Sequence, residues 1–435
     1  MSKVRNFSEI APNIAFPEFN FYELYYSTFE KSELGRIKKL LPLREMAENF
    51  GLVRKSMRPK LGCRSFFTPE GKVALMFLKM YTGLSCPKLL EQLNGNIHYQ
   101  IFCDVIIDPT RPLTNYKLLD DIMMELAGKL KIQQFQGILA DKWRPYMENL
   151  DTMYTDATCY ESEMRYPTDA KLLWEGVEKS YAAMCELSSR LGIHRPRTKF
   201  LDLLGKILKE IREIERGHEN AENLLTVREK SDIEIITRMY RQQKNPFRNN
   251  DSRESIPNRI VSLSKPHLRP IVRGKEVKSV EFGAKVNNIL VDGISFIEKL
   301  SFNAFNEGTR LIHCPKMHKR LFGVEAKKVG GDTGYVGTEN RDYCKVNGKQ
   351  IPFVKRGRPF SEKKKEKDLV RKELARVSAT AMEGSFGTQK EHYDLRMVKA
   401  RTKRMEILYI FFGIHTANVV QLADRIEQRS SLAAA

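Results

Sequence analysis

The chain has 435 residues, 41% apolar and 29% charged, proportions of an ordinary folded protein that exclude a collagen-like or wholly disordered chain. At about 150 residues per domain, the length predicts two to three domains. The 74 lysines and arginines outnumber the 54 acidic residues and leave a formal charge of +20, which points to nucleic acid first and an anionic membrane surface second.

No signal peptide is predicted, because MSKVRNFSEIAPNIAF lacks an apolar core. Seven scattered cysteines without a CxxC pair predict reduced thiols in a cytoplasm. In the first third, Thr68-Pro69-Glu70-Gly71 before VALMFLKMYTG supplies an N-cap, a first-turn proline and a closing glycine, and so predicts a helix. Ser85 opens a second short helix, and Tyr116 to Leu130 reads as a third. Short helices joined by tight turns suit a helix-turn-helix DNA reader, although many other helical modules share that texture.

The period changes near Asp151. In DTMYTDATCY, Met153, Ala157 and Cys159 fall on one face of a strand, and Tyr154, Asp156, Thr158 and Tyr160 fall on the other. From about Trp174 to Asn250 the chain is helical and charged, and it ends in the polar stretch QQKNPFRNNDSRESIPN, as an insertion would. VKSVEFGAKVNNILVDGISFIEKLSF then alternates on both sides of Asp292-Gly293 and predicts a tight hairpin. The segment KKVGGDTGYVGTENRDYCKVNGKQIPFVKRGRPF reads as strand, helix, strand, and long helices complete the chain. Ile407 to Ala423 is apolar but interrupted by Gly413, His415, Thr416, Asn418 and Gln421, which predicts a core helix rather than a membrane span.

Charge gathers late in the sequence. Lys345 to Arg404 holds 18 basic and 7 acidic residues, a local excess of 11 out of the total 20. That concentration favours a polyanion groove over a solvated helical face. Lys355, Arg356 and Arg358, separated by one glycine, suit contacts along a phosphate backbone.

Three carboxylates stand in settings unlike a bare surface position. Asp156 is mid-strand, Asp332 follows Gly330-Gly331 at a strand end, and Glu383 sits in a late helix. Carboxylates clustered in a basic groove suit Mg²⁺, which takes oxygen ligands and leaves positions open for phosphate and water. Two such ions serve phosphodiester chemistry. Residues seven apart are nearly two helical turns apart, so Arg376, Glu383 and Lys390 share one stripe if the helix is continuous. On spacing alone, an exposed charged helix with a local kink is the simpler reading.

Four ordered segments carry a resemblance across nearly the whole chain: TDATCYESEMRYPTDAKLL (155–173), RPIVRGKEVKSVEFGAKV (269–286), GDTGYVGTENR (331–341) and MEGSFGTQKEHYDLRMVKARTKRMEILYIFFGIHTANVV (382–420). Together they resemble the DDE transposases of bacterial insertion sequences. The resemblance implies an α/β (α+β) chain. Its RNase H-like mixed sheet would be flanked by helices, split by a helical insertion and preceded by an all-helical N-terminal domain. It implies that Asp156, Asp332 and Glu383 are the catalytic and metal-binding triad, with Lys390 as the trailing lysine. Many relatives carry arginine four residues before the glutamate; this chain has Ala379 there, and Arg376 is the nearest upstream arginine.

The expected organisation is a helical DNA-binding and dimerisation domain (1–150) and a first strand segment (151–173). A helical insertion with its linker (174–262), the rest of the catalytic domain (263–425) and a disordered tail (426–435) complete it. The implied partners are two Mg²⁺ ions, with Mn²⁺ able to substitute, double-stranded terminal inverted repeats, target DNA and a second copy of the chain, in the bacterial cytoplasm. Lys171 is a candidate phosphate contact, and Tyr393 a candidate for stacking on a frayed base, although an aromatic there more often packs. Asp169, Glu339 and Asp342 read as turn or helix-start carboxylates. His313, Cys314 and His318 are too few for a tetrahedral structural zinc site. The alternative reading is an inactive or repurposed transposase-derived DNA binder.

Overall fold

Residues 15–16, 19–20, 25–52, 66–193, 203–218, 221–249, 256–272, 280–352 and 364–434 are described by the computed structural model. Ser32 accepts a hydrogen bond from the Gly35 amide and opens α1 (Glu33–Leu40), and α2 (Leu43–Asn49) follows. Thr68 caps α3 (Pro69–Thr82) through the Gly71 amide at 2.9 Å, and Gly83 closes it at φ 63°, as its sequence predicts. Next come α4 (Cys86–Gly95), α5 (Ile97–Phe102), α6 (Lys117–Lys129) and α7 (Ile132–Trp143).

Strand β1 (Thr152–Ser162) leads to α8 (Asp169–Leu191), α9 (Leu203–Gly217), α10 (Val227–Asn249) and the short β2 (Pro270–Val272). The hairpin β3 (Val280–Val291) and β4 (Ile294–Ser301) turns at Asp292 and Gly293, whose φ values of 48° and 81° are both left-handed. That conformation matches the twist of a two-residue hairpin and explains the Asp-Gly dipeptide. Then follow α11 (His313–Phe322), β5 (Lys328–Gly331), α12 (Thr338–Val346), α13 (Lys364–His392), β6 (Met397–Val398) and α14 (Lys403–Ala434).

These six strands form one mixed sheet, and the separate pair Ala15–Phe16 and Phe19–Asn20 forms a two-stranded antiparallel sheet. β3 lies between β4 and β1, β1 is bordered by β5, and β2 and β6 add to β3 and β1. β3 and β4 are antiparallel, whereas β1 and β5 run parallel. A single parallel bridge continues beyond β5, from Lys328 to Gln350. The alternation of β3 suggests one exposed face, but the strand is buried along nearly all its length. Helices cover both faces: Asn287 reaches Cys314 of α11, while Leu290 packs with Met382 and Phe386 of α13.

Two compact units divide the chain. One holds residues 1–161, 285–301 and 305–435; the other holds 162–284 and 302–304. The boundary expected at residue 150 is therefore not a break between units, because the helical module and the sheet share a core built on α14. Phe77 of α3 lies 4.9 Å from Phe412, and Trp143 of α7 lies 6.4 Å from Phe296 and 5.9 Å from His415. Gln136 of α7 exchanges hydrogen bonds with both backbone groups of Ile297, standing in for a further strand at the β4 edge. Trp143 is fully buried and donates to the Leu40 carbonyl, so truncation to alanine would cost about 3–5 kcal/mol.

The tail departs from expectation too. α14 continues to Ala434, and the ion pairs Arg36–Glu427 and Arg429–Glu148, both 2.8 Å, attach its last turns to the helical module. α14 is long and apolar enough to cross a membrane, yet 78% of its most apolar window is buried inside the protein, the pattern of a core helix. In the second unit, α8, α9 and α10 pack through Leu172, Leu204, Leu208, Ile236 and Met239. This unit contains most of the predicted insertion.

Candidate functional site

Parallel pairing of β1 with β5 sets Thr155 opposite Gly331. Asp156 comes next on β1, in the middle of that strand, and Asp332 comes next after the end of β5, so the two aspartates sit side by side where β5 ends against the continuing β1. The carboxyl end of a parallel strand is where open α/β sheets gather polar groups. Gly330 makes this pairing fit: a Cβ there would come within 2.3 Å of the ring of Tyr154, its cross-strand partner, and 3.4 Å of Ser378 on α13.

Local hydrogen bonds orient both carboxylates. Asp156 Oδ1 accepts from the Ala157 amide at 2.7 Å. Asp332 caps the short 3₁₀ turn Thr333–Tyr335 by accepting from the Gly334 amide at 2.8 Å. Although Asp332 is exposed on one side, the surrounding protein strips enough water from its carboxyl to raise its pKa. The Gly334 amide opposes that shift, the charge of Glu307 adds to it, and the Lys285 ammonium counters it.

The third carboxylate gathered here is Glu307. Oxygens of Asp156, Glu307 and Asp332 all lie within 4.8 Å of one another, an acidic group suited to a metal ion. Glu307 opens the 3₁₀ turn Glu307–Arg310, capped by Asn306, whose Oδ1 accepts from the Gly308 amide at 2.9 Å. Asn340 of α12 donates to the carbonyls of Gly308 and Tyr335, at 2.7 and 2.8 Å, and so ties the two turns together. Beside them Lys285 of β3 is buried, its Nζ 2.7 Å from Glu307 Oε1, 3.0 Å from the Phe305 carbonyl and 5.0 Å from the Phe305 ring centre.

Glu383 is not part of this group. It is exposed on α13, the helix that covers the Asp156 face of β1. Met382 and Phe386 pack near Tyr154, Gln389 meets the Tyr160 hydroxyl, and Lys390 Nζ donates to Thr158 Oγ1 at 2.9 Å. Asp156 lies between Tyr154 and Thr158 on the same face of β1. Glu383 lies seven residues before Lys390 on α13, and added Cβ atoms at Gly384 and Gly387 would meet nothing within 4 Å, so the helix is uncovered at those two positions.

The remaining candidates are spread out. Arg376 is exposed on α13, and Lys171 is exposed on α8 in the second unit. Tyr393 is buried, the placement of a packing aromatic. Lys355, Arg356 and Arg358 lie outside the described residues. Cys314 and His318 are buried; Cys314 meets Thr155, and His318 Nδ1 lies 3.1 Å from the Val324 carbonyl, so their partners are protein groups.

Glu307 and Lys285 escaped the sequence reading. FNEGTR has no helix or strand period to mark it, and its only local signal is an asparagine cap two residues before a glycine. A lysine in the middle of a strand buried on both faces was the signal available for Lys285. The chain matches no family model, no curated protein and no solved structure.

Proposed function

We propose that this chain is a DDE transposase with an RNase H-like catalytic core. It binds the terminal inverted repeats of an insertion sequence, nicks DNA at the element end, and joins the freed 3′-hydroxyl to target DNA. The observation that carries the reading is the register of β1 and β5, which brings Asp156, mid-strand in β1, beside Asp332 at the end of β5, although the two are 176 positions apart in the chain (332 minus 156). The strand order β4, β3, β1, β5, with a parallel bridge beyond, agrees with that core and adds support. So does the placement of α13 over the Asp156 face.

Each residue has a part in this reading. Asp156 and Asp332, with Glu383 from α13, hold Mg²⁺, for which Mn²⁺ substitutes. Bound Mg²⁺ would supply activation of the attacking oxygen and stabilisation of the leaving one. The chain's own groups bind and align: Arg376 and Lys390 on α13 and Lys171 on α8 meet phosphates, within an overall charge of +20. Each step exchanges one phosphorus–oxygen bond for another and needs no covalent enzyme intermediate. The reading also holds that the protein works as a homodimer in the bacterial cytoplasm, at the nucleoid.

The test is cleavage of a labelled duplex carrying the element's own terminal repeat. Wild type nicks it with Mg²⁺, whereas Asp156→Asn, Asp332→Asn and Glu383→Gln lose cleavage by roughly a thousandfold or more and retain binding. Selective binding without cleavage by wild type would favour the second reading, an inactive or repurposed DNA binder. The replacement of the expected arginine by Ala379 and the separation of Glu383 from the carboxylate group are the observations on that side.

A further inference from the structure

We propose that the exposed cations of the segment between α13 and α14, Arg396, Lys399, Arg401, Lys403 and Arg404, form a docking surface for the phosphate backbone of double-stranded DNA that works without a metal ion. This rests on the reading of the chain as a DNA-acting protein given above, and places the hold on the duplex outside the carboxylate site.

Residues 395–405 contain these five basic residues and no acidic one, and all five are exposed. Arg396 pairs with Glu391 of α13 at 3.2 Å. Lys399, Arg401 and Arg404 make no ion pair among the described residues. Lys399 stands near the buried Lys79 of α3. Burial is the main cause of the lowered Lys79 pKa; Cys86, Asp394 and Asp120 oppose that shift, and repulsion from Lys399 adds to it.

The segment is anchored by its other side. Leu395, Val398 and Ala400 are buried between the exposed residues, and an added Cβ at Gly413 of α14 would come within 2.8 Å of the Leu395 side chain. The Arg396 amide donates to the Lys390 carbonyl at 3.1 Å, and β6 pairs with β1, the strand of Asp156. Thr402 Oγ1 accepts from the Met405 amide at 3.3 Å and caps α14. The cations are therefore held in place before a ligand arrives, which lowers the ordering cost of binding.

Helix polarity points to an anion as that ligand. Lys403 and Arg404 occupy the first turn of α14, a 32-residue helix, where the positive end of the macrodipole favours acidic side chains. Glu406, the acidic residue of that turn, is buried. Two cations there work against the folded chain alone and become favourable once a polyanion lies across them. A lipid surface would ask for an apolar face beside the charge, whereas Met397 is the exposed apolar side chain of the segment. Through Lys79 and Cys86 the surface adjoins the end of α3 and the start of α4, the helix pair whose tight turn suits a DNA reader.

The experiment is fluorescence anisotropy of the whole chain with a labelled random-sequence duplex of about 30 base pairs, in EDTA, between about 50 and 200 mM NaCl. Wild type is compared with Lys399→Gln/Arg401→Gln, with Arg404→Gln, and with Lys316→Gln/Lys345→Gln, which removes two charges from exposed positions on α11 and α12. Folding is checked by circular dichroism. Lys399→Gln/Arg401→Gln is expected to weaken binding roughly tenfold or more at the lower salt and to reduce the slope of log affinity against log salt by about two; Arg404→Gln reduces it by about one, and Lys316→Gln/Lys345→Gln stays within about threefold of wild type. If the Lys399 and Arg401 pair fails to fold when changed, Arg404→Gln carries the measurement. Equal losses in the two double variants would assign the effect to net charge and overturn the surface. Wild-type affinity in Lys399→Gln/Arg401→Gln and Arg404→Gln overturns it too, and leaves the DNA reading standing. A wild type that sediments with phosphatidylserine vesicles and leaves the duplex free overturns both, as does one that binds neither.

Discussion

The Tyr160 hydroxyl of β1 donates to the Gln389 side chain of α13, and Gln389 in turn donates to Ser295 Oγ at 3.2 Å and Ser385 Oγ at 3.0 Å. This buried set fixes α13 against the centre of the sheet through residues two and six positions beyond Glu383. Tyr160→Phe removes one hydroxyl and leaves the Gln389 oxygen unsatisfied, at a cost of about 1–3 kcal/mol. Urea unfolding followed by the fluorescence of the fully buried Trp143, in a Trp174→Phe background, measures it for the unit concerned.

Gly330→Ala tests the fit beneath α13. The new Cβ would press on the Tyr154 ring at 2.3 Å, so the ring or the helix must shift. The expected loss is about 1–3 kcal/mol, read on the same fluorescence transition. A change within about 0.5 kcal/mol would mean that Tyr154 repacks without strain.

His415 sets a pH dependence. It is fully buried among Phe411, Trp143 and Phe296, and burial pushes its pKa down to about 3. Unfolded histidine titrates near 6.5, so below that pH the unfolded chain binds a proton that the folded chain refuses. The stability is present in full above about pH 6.5 and is lost as pH falls toward 3, on the order of 5 kcal/mol in all. His415→Phe, which fits the aromatic surroundings but gives up the contact with Asn418 Nδ2 at 3.1 Å, should flatten the acid slope of the melting temperature. An unchanged slope would assign the acid sensitivity to other groups.

Arg376 tests the proposed DNA contact. If its exposed guanidinium meets a phosphate, Arg376→Ala lowers affinity for all duplexes alike and reduces the slope of log affinity against log salt by about one. Fluorescence anisotropy at several salt concentrations measures this. An unchanged slope removes Arg376 from the interface.

Local chemistry was readable in the sequence where one residue type serves one backbone task. Thr68, Pro69 and Gly83 mark both ends of α3, and Asp292-Gly293 marks the hairpin, because capping and left-handed backbone are short-range requirements. The strand carrying Asp156 was readable for a similar reason, through its period of two. Contacts such as Phe77 with Phe412 have no local signature, so the helical module could not be seen to share its core with the sheet. Glu307 was hidden likewise: a 3₁₀ turn has no long period, and its neighbours in space come from β1 and from the turn after β5.

The pairing of Thr155 with Gly331 also governs how the protein folds. Two carboxylates 176 positions apart meet only after a distant strand has docked in register, so the site forms late, after the local helices. The length of the intervening chain adds little to that cost. Closing a loop of twice the length costs only about 0.6 kcal/mol more, so the second unit can occupy most of the interval with small effect on the strand pairing. What the long interval sets is the time the β1 edge waits unpaired, and with it the window in which the nascent chain is exposed to aggregation.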